Sequence, residues 1–338
     1  MGKYGKFRCP MTPGLLIILF DQSNSMLQPY NERGNRLEVS ANMINFSIDN
    51  LINFYFDGET PYNAFFIHVI GYNNNVKELC SGWLKDLYSN TLRYENLKKK
   101  MPDGVGGIVE VDVKYPIWIE PVNAGDGANM FDALLYAKEL VQKWISNNPQ
   151  YPAPVIINIS DGVPYYDGKG SLECMKEITD LAKEIMSLSN EDGNVLIYNV
   201  QVSCFLKNAE TFPNNRNKIG QEETKFLFDI SSEVPESYLG HAYHTYYELY
   251  SYSGSAEIWR QLLWQGSRGL TNNIQDLFPV FPFMHGSDRE YNDEIHKIPE
   301  PSNDNMVESI KAKWRKGNGY EMLTFNENAD KIRAKWRK

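Results

Sequence analysis

The chain has 338 residues, is 42% hydrophobic and 23% charged, and carries a formal net charge of −9. That length suits one large domain or two small ones, and the negative balance argues against general binding to a polyanionic nucleic acid. The longest apolar run near the start, residues 15–20, is far short of the about 20 apolar residues that a bilayer demands and lacks the cleavage pattern of a leader, so a cytoplasmic location and no membrane partner are expected.

Taken in chain order, residues 15–20 (Leu-Leu-Ile-Ile-Leu-Phe) form a continuous apolar run between Pro13-Gly14 and Asp21-Gln22-Ser23-Asn24. Such a strand belongs in the middle of a sheet covered on both faces. Residues 36–56 place Leu37, Ala41, Ile44, Ile48, Leu51 and Ile52 at three- and four-residue spacings, which predicts a helix. Residues 64–70 predict a second strand, stopping at Gly71. The stretch of about 85–122, with Lys98-Lys99-Lys100 and the glycines 104, 106 and 107, reads as an edge hairpin or insertion. Its glycines do not form a dinucleotide loop, because no G-x-G-x-x-G spacing between strand and helix is present. A helix is expected over 131–145, a strand over 154–159 ending in Ser160-Asp161-Gly162, a helix over 171–187 and a strand over 195–202. Alternation of this kind predicts an α/β, doubly wound, mainly parallel central sheet flanked by helices, with any site at the carboxyl ends of the strands.

Beyond this domain, expected over 12–283, the composition changes. Residues 284–338 are rich in turn formers and contain a repeat: Ile310-Lys-Ala-Lys-Trp314-Arg-Lys returns as Ile332-Arg-Ala-Lys-Trp336-Arg-Lys. From Pro301 onward there are nine basic and five acidic residues, a net charge of +4 against −13 for the rest. The segment reads either as a solvated tail or as a docking motif used twice, with Trp314 and Trp336 as anchors.

Three elements are expected to meet at the strand ends: Asp21-x-Ser23-x-Ser25, Asp161-Gly162, and the loop Gly125-Asp126-Gly127-Ala128-Asn129-Met130 ahead of a helix. All of their ligand candidates are oxygens, the preference of a hard cation such as Mg²⁺. Asp21, Ser23, Ser25 and Asp161 would supply such a cation while leaving a position free.

In order and spacing, these residues resemble the metal-ion-dependent adhesion site of von Willebrand factor A (vWA) domains, and the resemblance spans about residues 12–283. It implies that Asp21, Ser23, Ser25 and Asp161 hold Mg²⁺ (or Mn²⁺ or Ca²⁺) directly or through water, and that an acidic side chain of a protein partner fills the open position. It further implies a non-enzymatic binding module. One residue departs from the pattern: Ala128 stands where the family usually has Thr, so one hydroxyl is missing, and Asn129, Asp126 or a water would have to substitute. Asp132 is expected within the helix, pointing away. Residues 227–235 (Leu-Phe-Asp-Ile-Ser-Ser-Glu-Val-Pro) and 266–270 (Gly-Ser-Arg-Gly-Leu) are similar to bacterial vWA domains of the tellurite-resistance type. That narrower likeness implies an adaptor in a bacterial signalling, stress or defence system, with a protein kinase and a protein phosphatase as partners.

Other chemistries fit less well. A Mg²⁺-dependent phosphohydrolase could use Asp21 as nucleophile, but it would need a second carboxylate where Ser23 stands. No G-x-S-x-G elbow supports a serine hydrolase. RNA binding would have to rest on the basic tail alone. The cysteines (Cys9, Cys80, Cys174, Cys204) are too scattered for zinc ligation and read as isolated thiols. Among the five histidines, His68 is expected to be packed or hydrogen-bonded within a strand. The tyrosine-rich residues 238–252 read either as packing or as a second contact surface.

Overall fold

The computed structural model describes residues 4–6, 8–31, 34–56, 58–102, 108–122, 125–202, 212–238, 267–271 and 277. The tail over 284–338 with Trp314 and Trp336, most of the tyrosine-rich stretch, Cys204, and the histidines 241, 244, 285 and 296 lie outside those residues.

The apolar run near the start is β1 (Gly14–Asp21), and all eight of its residues are buried. Its side chains alternate between two cores. Leu16, Ile18 and Phe20 join one cluster and Leu15, Ile17 and Leu19 the other, because successive residues of a strand point to opposite faces. Each such burial contributes about 1.5–3 kcal/mol, and a strand apolar on both faces fits no place but the centre of a covered sheet. Parallel partners lie on both sides: β4 (Phe65–Tyr72) and β8 (Val155–Ser160). Beyond β8 follow β9 (Leu196–Gln201) and the short β10 (Leu270–Thr271), both parallel. Beyond β4 comes β5 (Val76–Trp83), antiparallel, at the other edge.

That last strand escapes the sequence pattern. Val-Lys-Glu-Leu-Cys-Ser-Gly-Trp has neither a pure apolar run nor clean alternation. An edge strand requires neither, and its charges discourage further pairing. His68 of β4 faces it, with Nδ1 2.5 Å from Glu78 Oε2.

Helices cover both faces. After β1, a short antiparallel pair, β2 (Pro29–Asn31) and β3 (Gly34–Asn35), leads on one face into α1 (Arg36–Phe54), started by Asn35 and Glu38, which cap each other's backbone N–H groups. It buries Leu37, Ile44, Ile48, Leu51 and Ile52 in the first core. On the other face lie α3 (Met130–Asn147), α4 (Ser171–Ser187) and α5 (Glu222–Asp229), which contribute Leu134, Val141, Ile178, Ile185 and Leu227 to the second core. The expected insertion holds α2 (Leu84–Ser89) and a separate antiparallel hairpin, β6 (Arg93–Pro102) and β7 (Ile108–Ile117). Asn45 of α1 ties the return of this hairpin to the body. Its Oδ1 accepts from the N–H groups of Trp118 and Ile119, and its Nδ2 donates to the Ile119 carbonyl.

Chain order sets the position of the site. From β1 the chain moves one way to β4 and β5, then returns across β1 to build β8, β9 and β10 on the other side. The reversal falls between β1 and β8, and at such a switch point the connections diverge and leave a crevice beyond the carboxyl ends.

A buried polar ladder lies beneath it. Tyr72 Oη donates to Asn158 Oδ1 at 2.9 Å, Asn158 Nδ2 to Asn199 Oδ1 at 2.9 Å, and Asn199 Nδ2 to Ser231 Oγ at 2.9 Å. Asn158→Leu roughly keeps the branched shape but removes the acceptor of Tyr72 Oη and the donor to Asn199 Oδ1. With about 1–3 kcal/mol for each buried group left unsatisfied, a loss of about 3 kcal/mol is expected in chemical denaturation. A loss under about 0.5 kcal/mol would show that the ladder contributes nothing net.

Candidate metal centre at the carboxyl end of the sheet

Asp21 is the last residue of β1 and is fully buried. Its Oδ1 accepts from the Ser23 N–H at 3.0 Å and its Oδ2 from Ser160 Oγ at 3.0 Å. Ser160 ends β8, the neighbouring strand, and its Oγ also accepts from the Gly162 N–H at 2.9 Å. Burial first, and then the charge of Asp161, push the Asp21 carboxyl up to about 7. The hydrogen bonds from Ser23 and Ser160 act in the opposite direction.

Asp161 follows β8 directly and is 6% exposed. Its Oδ1 accepts from the Val163 N–H at 3.1 Å. Its Oδ2 lies 3.0 Å from Arg36 Nη1, in an ion pair whose side chains are both nearly buried. Gly162 has φ +88°, and a Cβ there would meet Leu227 Cδ1 at 3.0 Å. The Asp-Gly turn therefore requires its glycine.

The Asp21-x-Ser23-x-Ser25 segment leaves β1 into a 3-10 turn over Asn24–Leu27. Its two serine hydroxyls lie 3.0 Å apart. The third expected element is brought alongside: Gly125 forms a parallel bridge with Ser23, and Asp126 accepts a short hydrogen bond from Asn24 Nδ2. Gly127 (φ +83°) packs against Asn74, where a Cβ would fall 1.8 Å from Oδ1. Ala128 pairs with Tyr165 through both of its backbone groups. Asn73 of the turn after β4 supplies the carbonyl that takes the Asn129 N–H at 2.7 Å.

Asn129 is the N-cap of α3. Its Oδ1 accepts from the Asp132 N–H at 3.0 Å, and its Nδ2 donates to Asp132 Oδ2 at 2.7 Å. Its side-chain oxygen thus already serves the helix, and ligating an ion with it would mean surrendering part of the cap. Asp132, expected to point away from the loop, instead reaches back to Asn129 from the first turn of α3. Trp314 and Trp336 lie outside the described residues.

Asp21, Ser23, Ser25 and Asp161 therefore lie at the carboxyl ends of the adjacent strands β1 and β8, with the loop over 125–129 against that rim. Among the described residues no three His, Cys, Asp or Glu side chains gather as metal ligands. A cation here would draw on two carboxylates and two hydroxyls, a donor set that suits Mg²⁺ or Mn²⁺ with retained waters. The free thiols Cys9, Cys80 and Cys174 take no part in it. Sequence reasoning missed Ser160 and Arg36. An arginine in the first helical turn, where the helix dipole disfavours a cation, was the available signal for the second.

No family model and no curated protein matches the sequence. Among solved structures, the chain is similar to the conserved hypothetical protein BatB of Bacteroides thetaiotaomicron, at 15% identity over 64% of this chain and 85% of that one, with a TM-score of 0.35. It is similar to the ArnB paralog VWA2 of Sulfolobus acidocaldarius, at 16% identity over 56% of this chain and only 34% of that one, with a TM-score of 0.28. A third likeness is to the manganese-loaded TRAP protein of Plasmodium vivax, at 15% identity over 62% and 67% of the two chains, with a TM-score of 0.30. At such TM-scores these likenesses carry no inference about the site. Among the described residues, no helix is long and apolar enough to cross a membrane.

With divalent ions chelated, the raised Asp21 carboxyl has a consequence for stability. The folded chain holds that proton to higher pH than the unfolded chain, so stability is fully present below about 4 and is lost as the pH rises through about 7. Asp21→Asn removes this loss and should stabilise the chelated protein at pH 8 by up to about 4 kcal/mol, since the rise from 3.8 to about 7 spans about three tenfold steps in proton affinity, each worth about 1.4 kcal/mol. Thermal melts at pH 5 and pH 8 read the effect. Equal behaviour of the two proteins at pH 8 would mean that Asp21 titrates like an ordinary carboxyl.

Proposed function

We propose that the chain is a vWA-type, non-enzymatic module that binds a partner protein through a divalent cation, Mg²⁺ or alternatively Mn²⁺ or Ca²⁺. The observation that carries this reading is the pairing of two buried carboxylates, Asp21 and Asp161, with the adjacent Ser23 and Ser25 hydroxyls at the switch point of the sheet. Arg36 answers one of the two negative charges. Asp21 receives only hydroxyl and amide donors in its described hydrogen bonds. A site with that imbalance favours a further positive charge.

In this reading Asp21, Ser23 and Ser25 hold the ion and Asp161 supports it, directly or through water. The ion supplies positive charge and an open coordination position for a carboxylate. Ser160 orients Asp21 through the hydrogen bond to its Oδ2, and Gly162 keeps the Asp161 turn compact. The rim over 125–129 shapes access to the site. Asp126, beside Asn24, stands at that rim as a partner contact. Residues 227–235 and 267–270 lie together, with Val234 N–H bonded to the Ser267 carbonyl and Gly269 N–H to that of Ser232. Their similarity to the tellurite-resistance type motivates a cytoplasmic adaptor role in a bacterial multiprotein system, with a protein kinase and phosphatase among the proposed partners. The repeated Trp-containing motif would be a second docking element.

The test is capture of partners from native lysate with Mg²⁺ or with chelator, beside Asp21→Ala. A partner retained only with Mg²⁺ and intact Asp21 is expected; retention indifferent to both would overturn the bridging-ion reading. Separately, Ala128→Thr restores the missing hydroxyl. It should tighten Mg²⁺ binding by about tenfold, the equivalent of one charge-assisted contact of about 1.4 kcal/mol. Unchanged or weaker binding in calorimetry would place residue 128 outside the ligand shell.

A further inference from the structure

Arg36 is in an unfavourable place for a cation. It is the first residue of α1, and its side chain is only 8% exposed. The unpaired N–H groups and the macrodipole make a helix start positive, so an anion is favoured there and a cation is opposed. Moving a guanidinium out of water adds a further cost. Helix and backbone geometry nonetheless fix Arg36 at this point: Asn35 and Glu38 set the helix start, and the Arg36 N–H donates to the Gln28 carbonyl at 3.1 Å. What offsets the cost is Asp161, whose Oδ2 stands 3.0 Å from Nη1. The same carboxylate belongs to the oxygen set assigned above to the divalent ion.

We propose that Arg36 is a built-in counter-cation that competes with the divalent ion for Asp161 and thereby sets the ion affinity of the site. The inference rests on the metal-site reading of the preceding subsection. Two cationic centres cannot share one buried carboxylate oxygen without mutual repulsion in a low-dielectric setting. Arg36 therefore holds Asp161 in the ion-free protein and withdraws from it as the site loads. In the ion-free state it keeps the Asp21–Asp161 pair from standing as two uncompensated charges. In the loaded state its guanidinium is released toward the rim, where it becomes available to an acidic partner. By linkage, whatever stabilises the released position of Arg36, a partner carboxylate included, strengthens ion binding by the same factor.

The decisive experiment measures Mn²⁺ binding to the full chain by calorimetry and by bound-ion electron paramagnetic resonance, in wild type, Arg36→Gln and Asp21→Ala. Thermal melts with and without Mn²⁺ accompany it. Arg36→Gln should bind Mn²⁺ at least about fivefold more tightly than wild type, the lower end of ordinary site coupling. Its ion-free melting point should fall, and Mn²⁺ should raise it by more than it raises that of wild type. A residue that merely supports the fold would lower the melting point without enlarging the ion-induced gain. In wild type, phenylglyoxal modification of the Arg36 peptide, read by mass spectrometry, should increase when Mn²⁺ is added. Should Arg36→Gln fail to fold, Arg36→Lys serves in its place, with tighter binding expected because a single ammonium on a shorter reach holds Asp161 less well. Binding seen in Arg36→Gln and absent in wild type would support the proposal in its strongest form. Equal affinity in wild type and Arg36→Gln, lost in Asp21→Ala, would overturn the role of Arg36 while leaving the metal site standing. No binding by any of the proteins would overturn both.

Discussion

Two carboxylates buried within reach of each other's charge govern the upper rim of this sheet. Asp21 ends β1 and Asp161 follows the adjacent β8 directly, and the second raises the proton affinity of the first on top of what burial already does. Left alone, the pair would oppose folding at neutral pH, since each charge removed from water costs several kcal/mol. Much of the surrounding structure answers that cost. Ser160 and the Ser23 amide bond Asp21, the Val163 amide bonds Asp161, and Arg36 lies against Asp161 as a countercharge.

Retaining such a pair makes physical sense where it has work to do, because an apolar pair of similar size would cost nothing to bury. The fold places it at the one point where the connections to the two halves of the sheet diverge. Rigid elements hold each donor: β1 carries Asp21, β8 carries Ser160, and the start of α1 carries Arg36. The 3-10 turn and the loop over 125–129 are held by the Ser23–Gly125 bridge and by the Asn73 carbonyl. Under the proposed ion-binding reading, a ligand shell built this way would change little on loading, apart from the one long side chain whose contact would be broken.

The donor chemistry also bears on selectivity. Hydroxyls and carboxylates, with no His or Cys gathered beside them among the described residues, disfavour softer transition metals and suit hard cations. The methyl of Ala128 and the helix-capping role of Asn129 leave Asp126, itself bonded by Asn24, as the carboxylate of the loop over 125–129, so an ion would draw mainly on the β1 and β8 ends.

By itself the sequence determined the α/β class, the central strands and the covering helices. Runs such as residues 15–20 and 154–159 are apolar at nearly every position, and only a sheet buried on both faces accepts them. Strand-end polar motifs likewise marked which residues would meet at the carboxyl end of the sheet, because Asp21 and Asp161 interrupt those runs abruptly. The edge strand β5 was not legible, since an edge needs no apolar pattern and its mixed residues follow none. Nor was the fate of individual side chains beyond the motifs. Arg36 lies 125 positions from Asp161, and Asp132 turns back to Asn129 instead of outward. Both outcomes depend on which groups the folded chain brings within hydrogen-bonding distance, and local pattern carries no record of that distance. Tertiary structure alone decided that the countercharge of the site comes from the first turn of α1.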